Sequence, residues 1–329
     1  MRARALRNGV ALTELGLGTA QFGNLYRETT AEEAFGAAEA AWEAGVRYFD
    51  TAPHYGLGLS ERRLGSFLAT KPRGEVVVSS KVGRLLVPSP GTAGEQDDEG
   101  FAVPASLRRT WDFSREGVLR SVDATLERMG LDHIDIAYLH DPDDHLEQAF
   151  GEGIETLIEL RAQGVVRAVG AGMNQSAALA ELIRRADVDV VMVAGRFSLL
   201  DQEAGQELLP LAAEREVGVV VAGVYNSGLL ASPRPAANAK YDYQDAPPHL
   251  VRHARAIAEV CERHGVTVPE AAVAFPLLDP VVVSVVVGAR TSAQVDSNVA
   301  RYAAPIPDAL WDDLRSAALL PPAPSQDRI

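Results

Sequence analysis

The chain has 329 residues, 47% of them hydrophobic and 23% charged, with a formal net charge of −14. That balance belongs to a globular protein, and the excess of acid repels a phosphate backbone, which argues against nucleic acid as a partner. The lone Cys261 excludes an internal disulfide, and runs such as VVVSVVV (281–287) are too short to cross a bilayer. No apolar h-region follows the basic N-terminus, so the expectation is a cytoplasmic protein without a membrane partner. Oligomeric state stays open.

In chain order, ALRNGVAL (5–12) places Asn8-Gly9 between two short apolar stretches, the turn chemistry of a β-hairpin. Apolar runs then read as strands at 15–19, 46–50, 76–81, 134–139, 166–171, 189–194, 217–222 and 282–287. Segments of helical period lie between them at 31–44, 59–69, 115–129, 148–163, 176–185, 203–214, 249–264 and 292–301. Ser114 is placed to cap the third helix and Gly130 to end it. The strand runs are continuous rather than alternating, as in a parallel sheet covered on both faces. Eight β–α alternations fit one closed (β/α)8 TIM barrel, a single domain over residues 1–329. On pattern alone the alternative is a doubly wound open sheet. Two connections are long: 82–113, containing PSPGTAGEQDDEG, and 225–247, containing PRPAANAKYDYQDAPP. Both follow strand C-termini, the face on which barrels carry chemistry, and they read as lids or disordered inserts. The tail PPAPSQDRI reads as frayed.

Strand ends supply the candidate chemistry. The second strand ends in Asp50, with Tyr55 in the loop behind it; the third ends in Lys81 and the fourth in His140. Only three of the 31 basic residues are lysines, so one kept at a strand end asks for a reason. A phenol with a pKa near 10 is only about one part in a thousand ionised at pH 7, and a neighbouring ammonium favours the phenolate. Asp50 compensates a buried Lys81, and His140 can donate to, or polarise, a substrate oxygen. No spacing suggests a metal. The set suits proton transfer at an oxygen whose carbon gains or loses a hydride.

FDTAPHYG with strand-end Lys81 and His140 resembles the Asp-Tyr-Lys-His tetrad of the aldo-keto reductases, NAD(P)-dependent (β/α)8 barrels; RSVDATLERMGLDHIDIAYLHDPDD, ELRAQGVVRAVGAGMNQ, RFSLLDQ and VVGARTSAQVDSNV extend the likeness. The resemblance implies Tyr55 as general acid/base, Lys81 lowering its pKa, Asp50 pairing with Lys81, and His140 orienting the substrate oxygen. It also implies a nicotinamide dinucleotide across the later loops, beginning beside Gly18, Thr19 and Asp50. Asn174 would bond the carboxamide and Tyr225 stack on the nicotinamide. Asn226, Ser227, Gly228 and Leu229 would line the pyrophosphate, and Gly288, Arg290, Gln294 and Asn298 would hold the adenosine end. Two departures bear on this. The Gln that many members carry three positions before an aromatic is Ala194 here, ahead of Phe197. Gly288 and Gln294 replace the Lys and Arg of strongly NADP-specific members, leaving Arg290 as the one 2′-phosphate contact; NAD is therefore favoured over NADP.

Within the family, TAPHYGLGLSERRLG, WDFSREGVLRS, HDPDDH, GAGMNQ and VYNSGLL resemble the aldose 1-dehydrogenases of D-threo-aldose or L-fucose type. That implies oxidation of a sugar C1 hydroxyl to a lactone. Alternatives are a carbonyl reductase, a pyridoxal 4-dehydrogenase or, outside enzymes, a cofactor-sensing regulatory subunit. Phe22, Tyr26, His54, Trp111 and Phe113 are candidates for the pocket wall, and Asp141 lies within sequence reach of it.

Overall fold

A computed structural model describes residues 1–322 apart from 237 and 243. Its centre is a closed barrel of eight parallel strands: β1 (Leu15–Gly18), β2 (Tyr48–Asp50), β3 (Val77–Val82), β4 (Ile134–His140), β5 (Val166–Met173), β6 (Val190–Ala194), β7 (Gly218–Ala222) and β8 (Val282–Gly288). Each pairs with its sequence neighbours, and β8 closes on β1 through Val285↔Leu15 to Gly288↔Gly18. The open-sheet alternative is thereby excluded.

Period-two alternation decides what reaches the mouth. On β4, Ile136 and Tyr138 face the barrel interior, whereas Ala137 and Leu139 pack outward against helices. His140 continues the inward column. On β3, Val77 lies inside and Val78 and Val82 outside, so Ser79 and Lys81 point inward. On β2, Tyr48 is inside and Phe49 outside, which sets Asp50 inward. Three neighbouring columns therefore end in a carboxylate, an ammonium and an imidazole at one rim.

The far end is closed by the expected hairpin, Ala3–Ala5 with Ala11–Thr13, whose Leu6, Val10 and Leu12 join the interior core. Gly9 turns it at φ 86°. Around the barrel run α1 (Ala31–Glu43), α2 (Leu59–Leu68), α3 (Arg115–Met129), α4 (Ile154–Ala162), α5 (Ser176–Arg185), α6 (Leu208–Glu214), α7 (Pro248–Arg263), α8 (Val268–Ala274), α9 (Ser292–Ala303) and α10 (Asp308–Ser316). Ser114 accepts from Gly117 N–H and Gly130 takes φ 64°, the cap and stop read for α3.

Three expectations need correction. The helix over 148–163 is broken by a π-type turn, Ala149–Gly153, in which Gly151 leaves helical geometry. The helix over 203–214 is a short 3₁₀ turn and then α6; Pro210 sits in its first turn, where its missing N–H has no intrahelical acceptor to lose. α8 and α10 were not expected. The connection 82–113 is not a structureless insert: Arg84–Pro88 pairs antiparallel with Leu107–Trp111, and its tip is held by the bridges Leu25↔Phe101 and Gln96↔Pro104. In the second long connection, Lys240–Tyr241 pairs with Gln244–Asp245, while residues 237 and 243 of that stretch lie outside the described residues. Residues 323–329, most of the tail read as frayed, lie outside them too. Among the described residues no helix is long and apolar enough to cross a membrane.

Candidate active site

Tyr55 reaches the rim because its loop rests on bare backbone. A Cβ on Gly23 would lie 2.5 Å from the Tyr55 carbonyl carbon, and one on Gly56, whose φ is 63°, would lie 2.2 Å from the Gly23 oxygen. Only a pair of glycines lets the two loops touch there.

Lys81 is the hub. Its ammonium donates to Asp50 Oδ2 at 2.8 Å and Oδ1 at 3.0 Å, to the Thr51 carbonyl at 2.9 Å and to the Tyr55 hydroxyl at 3.1 Å. Ser79, two residues before Lys81 on the same strand face, donates to Asp50 Oδ1 at 2.7 Å. Behind it the Tyr48 hydroxyl lies 3.0 Å from Ser79 Oγ. Burial alone would lower the Lys81 pKa, but Asp50 and Tyr55 outweigh it and the net shift is upward. The ammonium is therefore fixed and permanent.

The expected pull of Lys81 on Tyr55 is present, but burial of the phenol outweighs it. Burial pushes the phenol up to about 12; Lys81 pulls it down, and the Asp50 charge opposes that pull. His140 stands 5.9 Å from the Tyr55 ring, centroid to centroid, and His54 stands 5.5 Å from His140. Burial, then the Arg84 charge, holds both imidazoles neutral: His140 lies well below the usual histidine range and His54 at about 2. His140 Nε2 lies 3.5 Å from Asp141 Oδ2, which favours the Nε2–H tautomer, the one that can donate outward.

The remaining sequence candidates divide. His54, Tyr26 and Trp111 are near the mouth; Tyr26 and Trp111 are exposed, with Tyr26 N–H bonded to Gly100 at the hairpin tip. Phe22 and Phe113 are buried in the barrel–helix core and present no surface to a substrate. Thr19 is buried too, its hydroxyl donating to the Asp50 carbonyl at 2.8 Å, and the Leu229 side chain belongs to the core. Gly18, Gly195, Gly223 and Gly288 leave the ends of β1, β6, β7 and β8 without side chains.

The pyrophosphate and adenosine expectations change most. The N–H groups of Asn226, Gly228 and Leu229 are spent inside their own turn, on Gly223, Tyr225 and Asn226 carbonyls. Asn226 is buried, its amide held by Ser198 and Gly195, and Ser227 is exposed. Tyr225 donates to Asn298 at 3.1 Å and accepts from Arg301 at 3.0 Å. Asn174 donates to the Ala194 carbonyl at 2.9 Å. Arg290 is consumed by the scaffold: its guanidinium holds the carbonyls of Leu25 and Arg27 and the Thr29 hydroxyl. Gln294 accepts from Arg290 N–H and is exposed beside the start of α9.

Sequence reasoning missed Ser79, Arg84, Arg109 and Asp97. Ser79 carried a signal, its i, i+2 spacing from Lys81. The others meet only through the hairpin: Arg84 donates to Asp141 Oδ2 at 2.5 Å, and Arg109 binds Asp97 at 2.5 Å and the His54 carbonyl at 2.9 Å.

A model of the Aldo/keto reductase family matches residues 14–318. The chain belongs to that family. A D-threo-aldose 1-dehydrogenase of Pseudomonas sp. is 49% identical, covering 95% of this chain and 96% of its own. A pyridoxal 4-dehydrogenase of Microbacterium luteolum is 38% identical, covering 96% and 97%. Among solved structures, the holo form of aldo-keto reductase AKR11C1 from Bacillus halodurans superposes with a TM-score of 0.76 at 27% identity over the whole of both chains. As an aldo-keto reductase the protein is an NAD(P)-dependent oxidoreductase acting on small carbonyl or hydroxyl compounds.

Proposed function

We propose that this aldo-keto reductase oxidises the C1 hydroxyl of a cyclic aldose to the lactone, with NAD as the preferred acceptor. The observation that carries the reading is the 49% identity, along nearly the whole chain, to a D-threo-aldose 1-dehydrogenase; the tetrad supplies the chemistry.

On the β5–β8 side of the mouth, bare strand ends and a few polar side chains support binding of a dinucleotide, although the turn after β7 has its N–H groups engaged. Gly288 is exposed, and the Gln21 amide lies over it with Oε1 buried and unpartnered, an acceptor ready for a ribose or adenine donor. Asn174 is at hand for the carboxamide, with Asn298 and the first turn of α9 for the adenosine end. A bound nicotinamide supplies the hydride acceptor or donor. Preference for NAD follows from the missing basic fork: Gly288 and Gln294 carry no charge, and Arg290 is already engaged.

Tyr55 moves the proton. Because Lys81 donates to the phenol oxygen, the phenol's own proton is directed away from Lys81, toward a substrate oxygen. In reduction the neutral phenol gives this proton to the nascent alkoxide. In oxidation it must first be lost, and a pKa of about 12 means that oxidation needs alkaline pH or added positive charge beside the ring. His140, neutral with Nε2–H outward, fixes the same oxygen. Asp50 and Ser79 hold Lys81 in place.

The test is NAD or NADP reduction by L-fucose, D-arabinose, L-xylose, L-galactose, D-glucose and pyridoxal, with Tyr55→Phe alongside. Sugar-dependent reduction of NAD that disappears in the variant supports the reading. Reduction with pyridoxal alone favours the second reading, suggested by the 38% identity to a pyridoxal 4-dehydrogenase. Turnover only of NADPH with simple aldehydes overturns both.

A further inference from the structure

One wall of the mouth is polar beyond what proton transfer requires. Where the hairpin leaves β3, Arg84 is 9% exposed, and its guanidinium donates to Asp141 Oδ2 at 2.5 Å. Asp141 follows His140 directly, and the same Oδ2 lies 3.5 Å from His140 Nε2. One carboxylate oxygen is thus shared between the arginine and the imidazole that faces the reacting centre. The Asp141 side chain keeps 31% of its surface open, and its backbone sits at φ 39°, a left-handed conformation that costs energy outside glycine. That turn brings the carboxylate back over the mouth. The pair lies close enough to the tetrad for the Asp141 charge to raise the Tyr55 pKa, as a smaller contribution than burial or Lys81.

The wall is also short of partners. Among the described residues, the buried side-chain atoms without a hydrogen-bond partner include Arg84 Nε, Arg109 Nε, Thr110 Oγ1, His54 Nδ1 and His140 Nδ1. All five belong to the hairpin strands or to the two histidines they cover. Buried polar groups are costly when unpaired, and a concentration of them beside a mouth is the mark of a site completed by a polar ligand. Trp111, the register partner of Arg84, is 37% exposed with its ring 5.2 Å from the guanidinium, so apolar surface adjoins the charged edge.

We propose that the Arg84–Asp141 ion pair is a hydroxyl-reading subsite: Asp141 accepts from, and Arg84 donates to, the hydroxyl on the carbon next to the one that reacts. The ligand class is an α-hydroxy aldehyde or its cyclic aldose form. This rests on the proposed sugar activity for its physiological meaning, but not for its test. A hydroxyl both donates and accepts, so it matches the acceptor and donor capacity a carboxylate–guanidinium pair has left over; a methylene in its place leaves that capacity unfilled. Sites built in this way discriminate strongly against the deoxy analogue. A hydroxyl arriving at Asp141 would lie beside His140 Nε2, 3.5 Å from the same carboxylate oxygen, and so next to the reacting oxygen.

The experiment compares NADH-dependent reduction of glyceraldehyde and of propanal, which differ in the hydroxyls, by wild type, Asp141→Asn and Arg84→Met. The wild type is expected to favour glyceraldehyde in kcat/KM by about 100-fold, and each variant to bring that ratio down by at least about 10-fold, whatever happens to the absolute rates. Two variants on different segments keep the result readable if one does not fold. A ratio unchanged in the folded variants overturns the proposal and leaves the pair as a brace between hairpin and barrel. Wild type that shows no preference for glyceraldehyde, or does not reduce it, overturns it as well. NAD reduction by the aldoses, run on the same samples, reports separately on the sugar reading: aldose oxidation with an unchanged ratio sinks the subsite alone, and a collapsed ratio without aldose oxidation sinks the sugar reading alone.

Discussion

Lys81 donates to the Tyr55 hydroxyl and to both carboxylate oxygens of Asp50 at once, so the residue that tunes the phenol is itself neutralised by its neighbour. This buried ion pair is the first thing to break. Lys81→Met leaves the Asp50 carboxylate without its cation and is expected to cost about 3–5 kcal/mol of stability. Lys81→Met with Asp50→Asn should recover much of that loss while activity stays absent. Urea unfolding and steady-state assays of both variants measure it; equal stabilities would show that the pair is not electrostatically coupled.

The phenol itself can be titrated. With burial pushing Tyr55 up to about 12, the cofactor-free protein holds it neutral across the physiological range. The ultraviolet difference between wild type and Tyr55→Phe should show no phenolate below roughly pH 11, and aldehyde reduction should be flat from about pH 6 to 9, since the proton donor is fully loaded throughout. A phenolate step near pH 8 in the free protein would reverse the balance between burial and Lys81.

His54 gives a stability signature of opposite sign to that of a salt-bridged histidine. In the fold it stays neutral down to about pH 2, whereas the unfolded chain binds a proton at the ordinary value of 6.5. Below that value the unfolded state holds one proton more, so stability present above pH 6.5 is lost as pH falls, by about 1.4 kcal/mol per unit. In His54→Gln the decline between about pH 6 and pH 4 should be shallower by roughly 2–3 kcal/mol in all. An unaltered slope in chemical unfolding measured at each pH contradicts this.

Gly23 supports Tyr55 without touching chemistry. A methyl there meets the Tyr55 carbonyl carbon at 2.5 Å, so Gly23→Ala must shift the Tyr55 loop. The expected result is a fall in kcat of roughly 100-fold, in line with the cost of misplacing a reacting group by about 1 Å. Circular dichroism should still report a folded barrel. Near-normal turnover would mean that the loop yields elsewhere.

For the cofactor, Gln294→Arg places a guanidinium at the exposed start of α9. NADP affinity should rise by about 10-fold, and NAD affinity should change little. Fluorescence titration of the two nucleotides gives the ratio directly; no gain for NADP would place the 2′ position elsewhere.

The barrel and the tetrad were legible because each rests on a local rule. Continuous apolar runs marked the strands, and the inward columns Tyr48–Asp50, Val77–Ser79–Lys81 and Ile136–Tyr138–His140 follow from side chains alternating along them. The kinked helix at Gly151 was not legible, because a single glycine inside a helical pattern does not announce a break. Arg290 misled for another reason: its position suits a phosphate, and only the fold reveals that the loop from Leu25 to Thr29 takes its donors. The Arg84–Asp141 pair joins residues 57 apart with no periodicity between them, so nothing local announces it.

The hairpin over Arg84–Trp111 begins and ends at register partners, side by side on the rim. Its feet are two neighbouring points on the barrel, and its far end is tied to the loops after β1 and β2 through Leu25↔Phe101 and the bond from Arg109 to the His54 carbonyl. The proposed Arg84–Asp141 subsite thus belongs to a hairpin set on the rim, whereas proton transfer rests on residues of the strands that also hold the barrel together.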